Sequence, residues 1–460
     1  MIPRMVSPVI PVSPNHAPAQ AGPPEAPEAP QAVTPLTEST AESHVAGVCF
    51  KIGPPRLIGV ELEWFVHDDR CPGSPVAPER VTAAIESLPP HPRGQVLPAG
   101  SPVTLEPGGQ VELSSPPADS IASCAEATRR DLGVLRSAFA AQGLRLTGTG
   151  TDPMDRDRRM VLKHPRYLAM ERFFDRAGPW GRIMMTGTAS VQVCLDAGSE
   201  QGPQALRDRW RLAHLLGPVL VAAFANSPLL DGRPTGYRST RQLVWSRMDP
   251  SRTLAPATGH ADPRSAWARY VLDAEVLCIR RPDDRPWTAP PGLTFRSWLR
   301  GGADRPPTLA DLDYHRTTLF PPVRPQGHLE LRMIDAQPGD GWVVPAALTG
   351  ALFDDPVAAD AALAALEPLD VRGEEPAPRG ALWRRAAAQA VGDPQLRRAA
   401  LACFAAADAA LARADDAGAL RTAVADFADR YPARGRCPAD DQLDALRSGA
   451  RISSRRAASC

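Results

Sequence analysis

The sequence predicts an α+β fold, and three observations carry that prediction. Four segments, RLIGVELEWFV from Arg56, GGQVELSS, GTASVQVCLD and GHLELRMIDA, alternate apolar and polar residues with the period of two expected of half-buried strands. The helical stretches between them are of uneven length, and hairpin-like pieces near 96–115 set two strands side by side, which argues against a regular βαβ array. After Pro345 the chain becomes alanine-rich and repeatedly helical to about residue 448, with acidic and arginine residues on the outer faces and no fixed-period repeat.

Taken in order, residues 1–45 read as a disordered tail. Ten prolines occur by Pro35, among Ala, Ser, Gln and Glu, and little in the stretch is large enough to offset the entropy of ordering it. Residues 46–350 hold the strands and form the expected catalytic domain. Within it, residues 119–142 predict a helix opened by Asp119 or Ser120, with Ile121, Cys124, Leu132, Leu135 and Phe139 at helical spacing. A second, more apolar helix is expected over 204–225, with Pro218 inside it. Residues 351–450 form a helical C-terminal region packed on the catalytic domain, and 451–460 a flexible tail.

Composition removes several classes of function. The 460 residues carry 52 Lys plus Arg against 52 Asp plus Glu, so the general electrostatic footprint of a nucleic-acid binder is missing. Lysine occurs only at Lys51 and Lys163, followed by Ile52 and His164, so no GxxxxGK[ST] phosphate loop is present. Eight cysteines lack any CxxC or paired metal spacing and read as reduced thiols of a cytoplasmic protein. No apolar run approaches the roughly 18 residues a membrane helix needs, and the proline-broken N-terminus offers no secretory core.

Chemistry is concentrated on one face of the strands. Glu61 and Glu63 are two apart and share a side, while Val60, Leu62 and Trp64 point to the other. Gln110 and Glu112 alternate with Val111 and Leu113, and Glu106 precedes a Pro-Gly-Gly turn. Gln192 opposes Val191 and Val193; His328, Glu330 and Arg332 oppose Leu329, Leu331 and Met333. A solvated sheet face is also polar, but it usually mixes Thr, Ser and Lys with both charges, whereas these positions favour Glu and Gln. Carboxylates about 4–5 Å apart repel by roughly 3–4 kcal/mol per pair even at a surface-like effective dielectric. Cations among them resolve the conflict, and hard oxygen donors without a thiolate set select Mg²⁺ or Mn²⁺. A multi-carboxylate cluster of this kind holds ATP phosphates without a phosphate loop. Arg238, Arg241, Arg247 and Arg252 follow one another closely around Trp245, and an arginine fork suits an amino-acid carboxylate or a transferring phosphoryl group.

The motifs Gly59-Val60-Glu61-Leu62-Glu63, Pro107-Gly108-Gly109-Gln110-Val111-Glu112-Leu113-Ser114, Ser190-Val191-Gln192-Val193, Ala225-Asn226-Ser227-Pro228, Arg238-Ser239-Thr240-Arg241 with Trp245, and Gly327-His328-Leu329-Glu330-Leu331-Arg332 with Ile334-Asp335-Ala336-Gln337-Pro338 occur in one order. Over roughly residues 56–345 the chain resembles the glutamate–cysteine ligases of the GCS2 family, with the ergothioneine-pathway branch nearest. The resemblance implies a curved antiparallel sheet forming a funnel backed by helices, like the catalytic domain of glutamine synthetase. It implies metal ligation by Glu61, Glu63, Glu106, Glu112 and Glu330, with two or three Mg²⁺ ions, and Gln110 and Gln192 lining the same face. Arg241, with Arg238 beside it, would hold the glutamate carboxylate, and Arg332 would face the transferring γ-phosphate. Tyr167, Met170 and Arg172 resemble the family's helix beside the substrate pocket.

The implied reaction joins L-glutamate to L-cysteine with ATP through a γ-glutamyl phosphate. Three other readings stay open on the residues alone. They are a ligase of the same fold with another amine acceptor, a metal-dependent hydrolase using the same carboxylates, and a catalytically silent relative.

Overall fold

The computed structural model describes residues 36–448 apart from 89–96, 257–261, 282–284, 371–374 and 415–416. Nine strands occur among them: β1 (Ile58–Asp68), β2 (Val103–Leu105), β3 (Val111–Ser114), β4 (Leu144–Thr147), β5 (Ser190–Asp196), β6 (Leu229–Leu230), β7 (Arg233–Pro234), β8 (Val323–Pro325) and β9 (His328–Asp335). Seven form one antiparallel sheet in the order β2-β3-β1-β5-β9-β8, with β4 joined to the far end of β1; β6 and β7 pair separately. This is the expected α+β architecture, an antiparallel sheet backed by helices.

Period-two patterning decides which face is buried. Val60, Leu62, Trp64, Val111, Leu113, Val193, Leu195, Leu329 and Leu331 all enter the main core. They meet the helices Ile121–Ala141, Leu206–Ala223 and Val343–Asp354. The first is opened by Ser120, whose hydroxyl accepts from the Ser123 amide. The second runs through Pro218. The third is buried all round, which matches its uninterrupted apolar sequence VVPAALTGALF.

One irregularity in the sheet has a sequence cause. Across β5 and β9, Val191 faces Ile334 but Val193 faces Leu331, so β9 has one residue more than its partner between these pairs. The extra residue is a β-bulge at Arg332–Met333. It lets the consecutive apolar pair Met333-Ile334 stay in the core, and it returns Asp335 to the polar face, opposite Ser190.

Two boundaries differ from the sequence expectation. A helix spans Glu38–Cys49, with Thr37 and Thr40 forming a reciprocal cap and Ala41, Val45 and Cys49 buried, so order begins well before residue 45. The prolines end at Pro35, and an apolar residue every fourth position follows. The break expected at 350/351 falls inside the helix Val343–Asp354. The helices beyond it, Pro356–Leu366, Ala381–Gln389, Pro394–Leu411, Gly418–Arg430 and Pro438–Arg447, share one continuous hydrophobic core with the sheet rather than owning a second. Residues 1–35 and 451–460 lie outside the described residues. Cys71 is disulfide-bonded, contrary to the expectation of eight reduced thiols, while Cys49, Cys124, Cys194, Cys278, Cys403 and Cys437 are free. Among the described residues no helix is long and apolar enough to cross a membrane.

Candidate functional site

The polar face of the sheet is built rung by rung. Glu63 stands opposite Glu112, and Glu112 opposite Thr104; Glu61 lies between Ser114 and Gln192; Glu330 lies between Cys194 and Arg324. Glu106 belongs to the β2–β3 hairpin, whose turn is closed by the Gly109 amide donating to the Glu106 carbonyl at 2.8 Å. Register thus gathers the five expected glutamates on one surface.

Their electrostatics are those of like charges drawn out of water. Burial pushes the Glu61 carboxyl well above the carboxylate range, reinforced by Glu330 and Glu112. Glu106 is pushed up to about 7 by burial and then by Glu63. Glu112 is pushed up to about 8 by burial, Glu106 and Glu63, although Thr104 donates to it at 2.9 Å. Glu63 is the best satisfied of this group: the Ser190 amide donates at 2.8 Å, the Ser190 hydroxyl at 3.0 Å and Gln192 Nε2 at 3.1 Å. Cys194 shares the face, and burial together with Glu61 and Glu330 keeps its thiol protonated.

Glu330, 1% exposed, behaves in the opposite way. Burial would raise its pKa, but Arg324 and Arg332 outweigh that and hold it at about 2. Arg324 grips it with two bonds, Nε at 2.5 Å and Nη2 at 2.9 Å, and Arg332 Nη1 donates at 2.5 Å. The same Arg332 nitrogen donates to Gln192 Oε1. Arg324 did not stand out from sequence, because β8 is three residues long and ends in proline. Arg166 was missed for a different reason, since it sits on the helix Pro165–Phe174 and not on a strand. Its guanidinium is fixed by Thr317 at 2.8 Å and lies over the Tyr314 ring, and its charge reaches Glu106 and Tyr167. The Tyr167 phenol is pushed up to about 12, by burial and then by Glu106.

Arg241 enters from the helix Thr240–Ser246. Nη2 donates to the Arg332 carbonyl at 2.9 Å, and the guanidinium lies over the Trp245 ring, 5.7 Å from its centroid. Nε and Nη1 are buried without a protein partner. Leaving charged donors unsatisfied costs more than about 1–3 kcal/mol, so the group is mounted for an acceptor from outside the chain.

The mount is a network centred on Asp335. Its carboxylate accepts from the Asn226 amide at 2.9 Å, the Ser227 hydroxyl at 2.7 Å and the Ser239 hydroxyl at 3.0 Å; Ser227 Oγ in turn accepts from the Arg241 amide at 3.1 Å. Gly150 lets the backbone pass, since a Cβ there would lie 2.4 Å from Asp335 Cγ. Asp335→Ala strands three buried donors and is expected to cost roughly 3 kcal/mol or more. Urea unfolding measures the loss, and an unchanged midpoint contradicts this reading of the network.

Two sequence expectations need correction. Arg238 does not reach the pocket: its Nε donates to Asp440 at 2.7 Å, on the C-terminal helix Pro438–Arg447. From that helix Gln442 also donates to Asn226 Oδ1 at 2.6 Å, so the C-terminal region braces the Asp335 network. Gln110 precedes β3 and spends its amide nitrogen on the backbone, donating to the Thr188 carbonyl at 2.9 Å and the Met185 carbonyl at 3.4 Å. Asp152 pairs with His67 at 3.4 Å and with Arg156.

The donor set is of the hard oxygen type that Mg²⁺ prefers. It is made of hard carboxylate oxygens, three of them carrying pKa values raised by their mutual proximity and burial. Among the described residues, however, no three or more His, Cys, Asp or Glu side chains close into a finished cation cage. The carboxylates share a surface without converging on a point.

An antiparallel sheet that offers carboxylates and guanidinium groups on one half-buried face, with its thiol held protonated, defines a site that handles anionic substrates by charge and position. The chain belongs to the glutamate–cysteine ligase family 2 (GCS2), whose family model matches residues 57–457. It is 41% identical over 411 residues to the glutamate–cysteine ligase EgtA of Mycolicibacterium smegmatis, covering 86% of this chain and 92% of that protein. EgtA of Mycobacterium tuberculosis is 41% identical over 425 residues, covering 90% and 92%. A chloroplastic glutamate–cysteine ligase of Medicago truncatula is 33% identical over 267 residues, covering 55% of this chain and 50% of that protein.

Proposed function

We propose that this chain is an ATP-dependent glutamate–cysteine ligase. It joins the γ-carboxylate of L-glutamate to the amine of L-cysteine and supplies γ-glutamylcysteine for ergothioneine biosynthesis in the cytoplasm. The observation that carries the reading is the gathering of Glu61, Glu63, Glu106, Glu112 and Glu330 on one sheet face, in a chain 41% identical to EgtA across 86% of this chain and 92% of EgtA.

Glu61, Glu63, Glu106, Glu112 and Glu330 would hold two or three divalent cations, Mg²⁺ with Mn²⁺ as substitute, Glu330 exchanging an arginine bond for the ion. When bound, the ions neutralise the ATP phosphates and the charge that develops during phosphoryl transfer. The chain's own groups do the positioning. Arg241, whose Nε and Nη1 have no protein partner, takes the glutamate carboxylate. Arg332, braced by Glu330 and Gln192, presents its remaining N–H groups to the transferring phosphoryl oxygens. Tyr167 stays a phenol at every working pH and serves as a hydrogen-bond donor beside Glu106. The γ-carboxylate of glutamate attacks the γ-phosphorus, ADP leaves, and the amine of cysteine displaces phosphate from the acyl phosphate.

The cavity between Arg241, Trp245, Phe320 and Arg332 measures only about 20 Å³, room for about one water. Trp245 and Phe320 must therefore shift to admit glutamate.

A coupled ADP assay over pairs of amino acids tests the reading. ADP forms only with glutamate, cysteine, ATP and Mg²⁺ together. Equal ADP release with other amines points to a ligase with a different acceptor, and turnover without nucleotide points to a hydrolase.

A further inference from the structure

A cleft of about 520 Å³ lies beside the helix Thr240–Ser246 and is lined by none of the five sheet glutamates, a volume typical of small-molecule sites. Trp180 and Tyr237 line it from the catalytic side, and Trp383 and Arg384, on the helix Ala381–Gln389, line it from the C-terminal side. Three arginines, Arg247, Arg379 and Arg384, stand against the single carboxylate of Glu375, so the cleft is positive. Arg379 is occupied by the carbonyls of Ser246 and Met248 at 3.0 and 2.8 Å. Arg384 spends one nitrogen on the Arg379 carbonyl and stands 3.6 Å from Glu375. Among the described residues Arg247 is engaged only with the Trp180 ring, 6.0 Å from its centroid, and keeps its N–H groups for another acceptor.

We propose that this cleft is a second ligand site, separate from the ligase centre, and that it takes a nucleoside monophosphate. The phosphate sits between Arg247 and Arg384, where guanidinium forks match its oxygens, and the base stacks on an indole of the lining. Inorganic phosphate lacks the ring and adenosine lacks the charge, so neither alone satisfies both halves of the cleft.

The cleft touches the mount of Arg241. Gln242 lines it and donates Nε2 to the Met333 carbonyl at 2.8 Å, while Arg241, one residue earlier, donates to the Arg332 carbonyl. On the opposite wall, the Ala387 carbonyl accepts the amides of Arg238 and Ser239 at 2.9 Å each. A ligand bridging Arg247 and Arg384 ties these two walls together, and occupancy therefore shifts the KM for glutamate. Binding itself is independent of the proposed ligase activity; the KM effect rests on it.

The test is a titration of the full-length protein with AMP, inorganic phosphate and adenosine, read by calorimetry. AMP binds at least about tenfold more tightly than either fragment. Arg247→Ala combined with Arg384→Ala weakens AMP by about tenfold or more and leaves ADP formation without AMP unchanged, because both side chains are exposed and line a cleft that none of the five sheet glutamates lines. Arg332→Ala leaves AMP binding intact. No AMP binding, binding equalled by phosphate, or binding that survives the double variant and disappears in Arg332→Ala overturns the site. AMP binding with an unmoved glutamate KM overturns the coupling. A protein that binds AMP but makes no ADP from glutamate and cysteine refutes the ligase reading and leaves the second site standing.

Discussion

Glu61→Gln is expected to abolish ligase turnover, with a loss of about 10³-fold or more in kcat, while the metal-free protein becomes no less stable and resists alkaline pH better than the parent. The two halves of this result have one cause. Glu61 is a half-buried carboxyl facing Glu330 and Glu112, and its charged form is disfavoured by loss of water first and by those neighbours next. A neutral amide of nearly the same shape removes that repulsion, so the fold gives up nothing. The amide also removes an anionic oxygen donor from the cation site, and electrostatic stabilisation of the transferring phosphoryl group goes with it. Steady-state ADP formation and thermal melting at pH 6 and pH 8.5 measure both. An active variant, or one that is inactive because it is unfolded, contradicts the assignment.

Glu330→Gln is expected to fail differently, losing activity and stability together. Here the carboxylate is the negative partner of two guanidinium groups, and its pKa of about 2 reflects Arg324 and Arg332 overriding the cost of burial. A group held below its unfolded value contributes stability above the ordinary carboxylate range, and that stability is lost as the pH falls through the folded value. At neutral pH the contribution is fully present, so the substitution removes it and leaves two arginines facing an amide. Breaking one side of a buried ion pair typically costs about 3–5 kcal/mol. Urea unfolding at pH 7.5 reads this directly. The variant should unfold well below the parent, whereas Glu61→Gln should not; equal midpoints for the two variants would mean that Arg324 and Arg332 do not depend on Glu330.

This contrast marks how far the sequence could be read. Alternation in β1, β3, β5 and β9 exposes the shared face, because a strand's period of two sorts side chains by sides without any knowledge of neighbours. It could not tell that Glu330 is neutralised by arginine while Glu61, Glu106 and Glu112 are not, since that depends on Arg324 lying across a three-residue strand. Nor could it show that the Gln110 amide, just before β3, is spent on the Thr188 carbonyl. Arg238 looked like a substrate ligand because Arg241 is near it in sequence, yet its partner Asp440 is 202 residues away. Ser227, Ser239 and Asp335 form the mount of Arg241 from three separated motifs, each unremarkable alone. The helix Glu38–Cys49 was hidden for a compositional reason: a proline-rich run ends two residues before its cap, and the average over the segment masked the change.

The bulge at Arg332–Met333 shows the reverse case, a feature written in the sequence but legible only with the partner strand. Met333-Ile334 breaks the alternation, and the break alone could have ended the strand. Pairing with β5 shows instead that one residue is looped out, which keeps both side chains in the core and sets Arg332 beside Gln192 and Glu330.

The central claim is that buried carboxylates on one sheet face are tolerated because divalent cations complete them. Without cations, Glu106 at about 7 and Glu112 at about 8 retain protons near neutrality. Their folded values lie above the unfolded ones, so the metal-free protein loses stability as the pH rises through them. Binding of a cation must displace those protons. Titration of the metal-free protein with Mg²⁺ at pH 7.5, in two buffers of different ionisation enthalpy, counts protons released per ion bound. The account predicts saturable binding with net proton release, diminished in Glu61→Gln; binding with no proton release, or none at millimolar Mg²⁺ with ATP present, contradicts it.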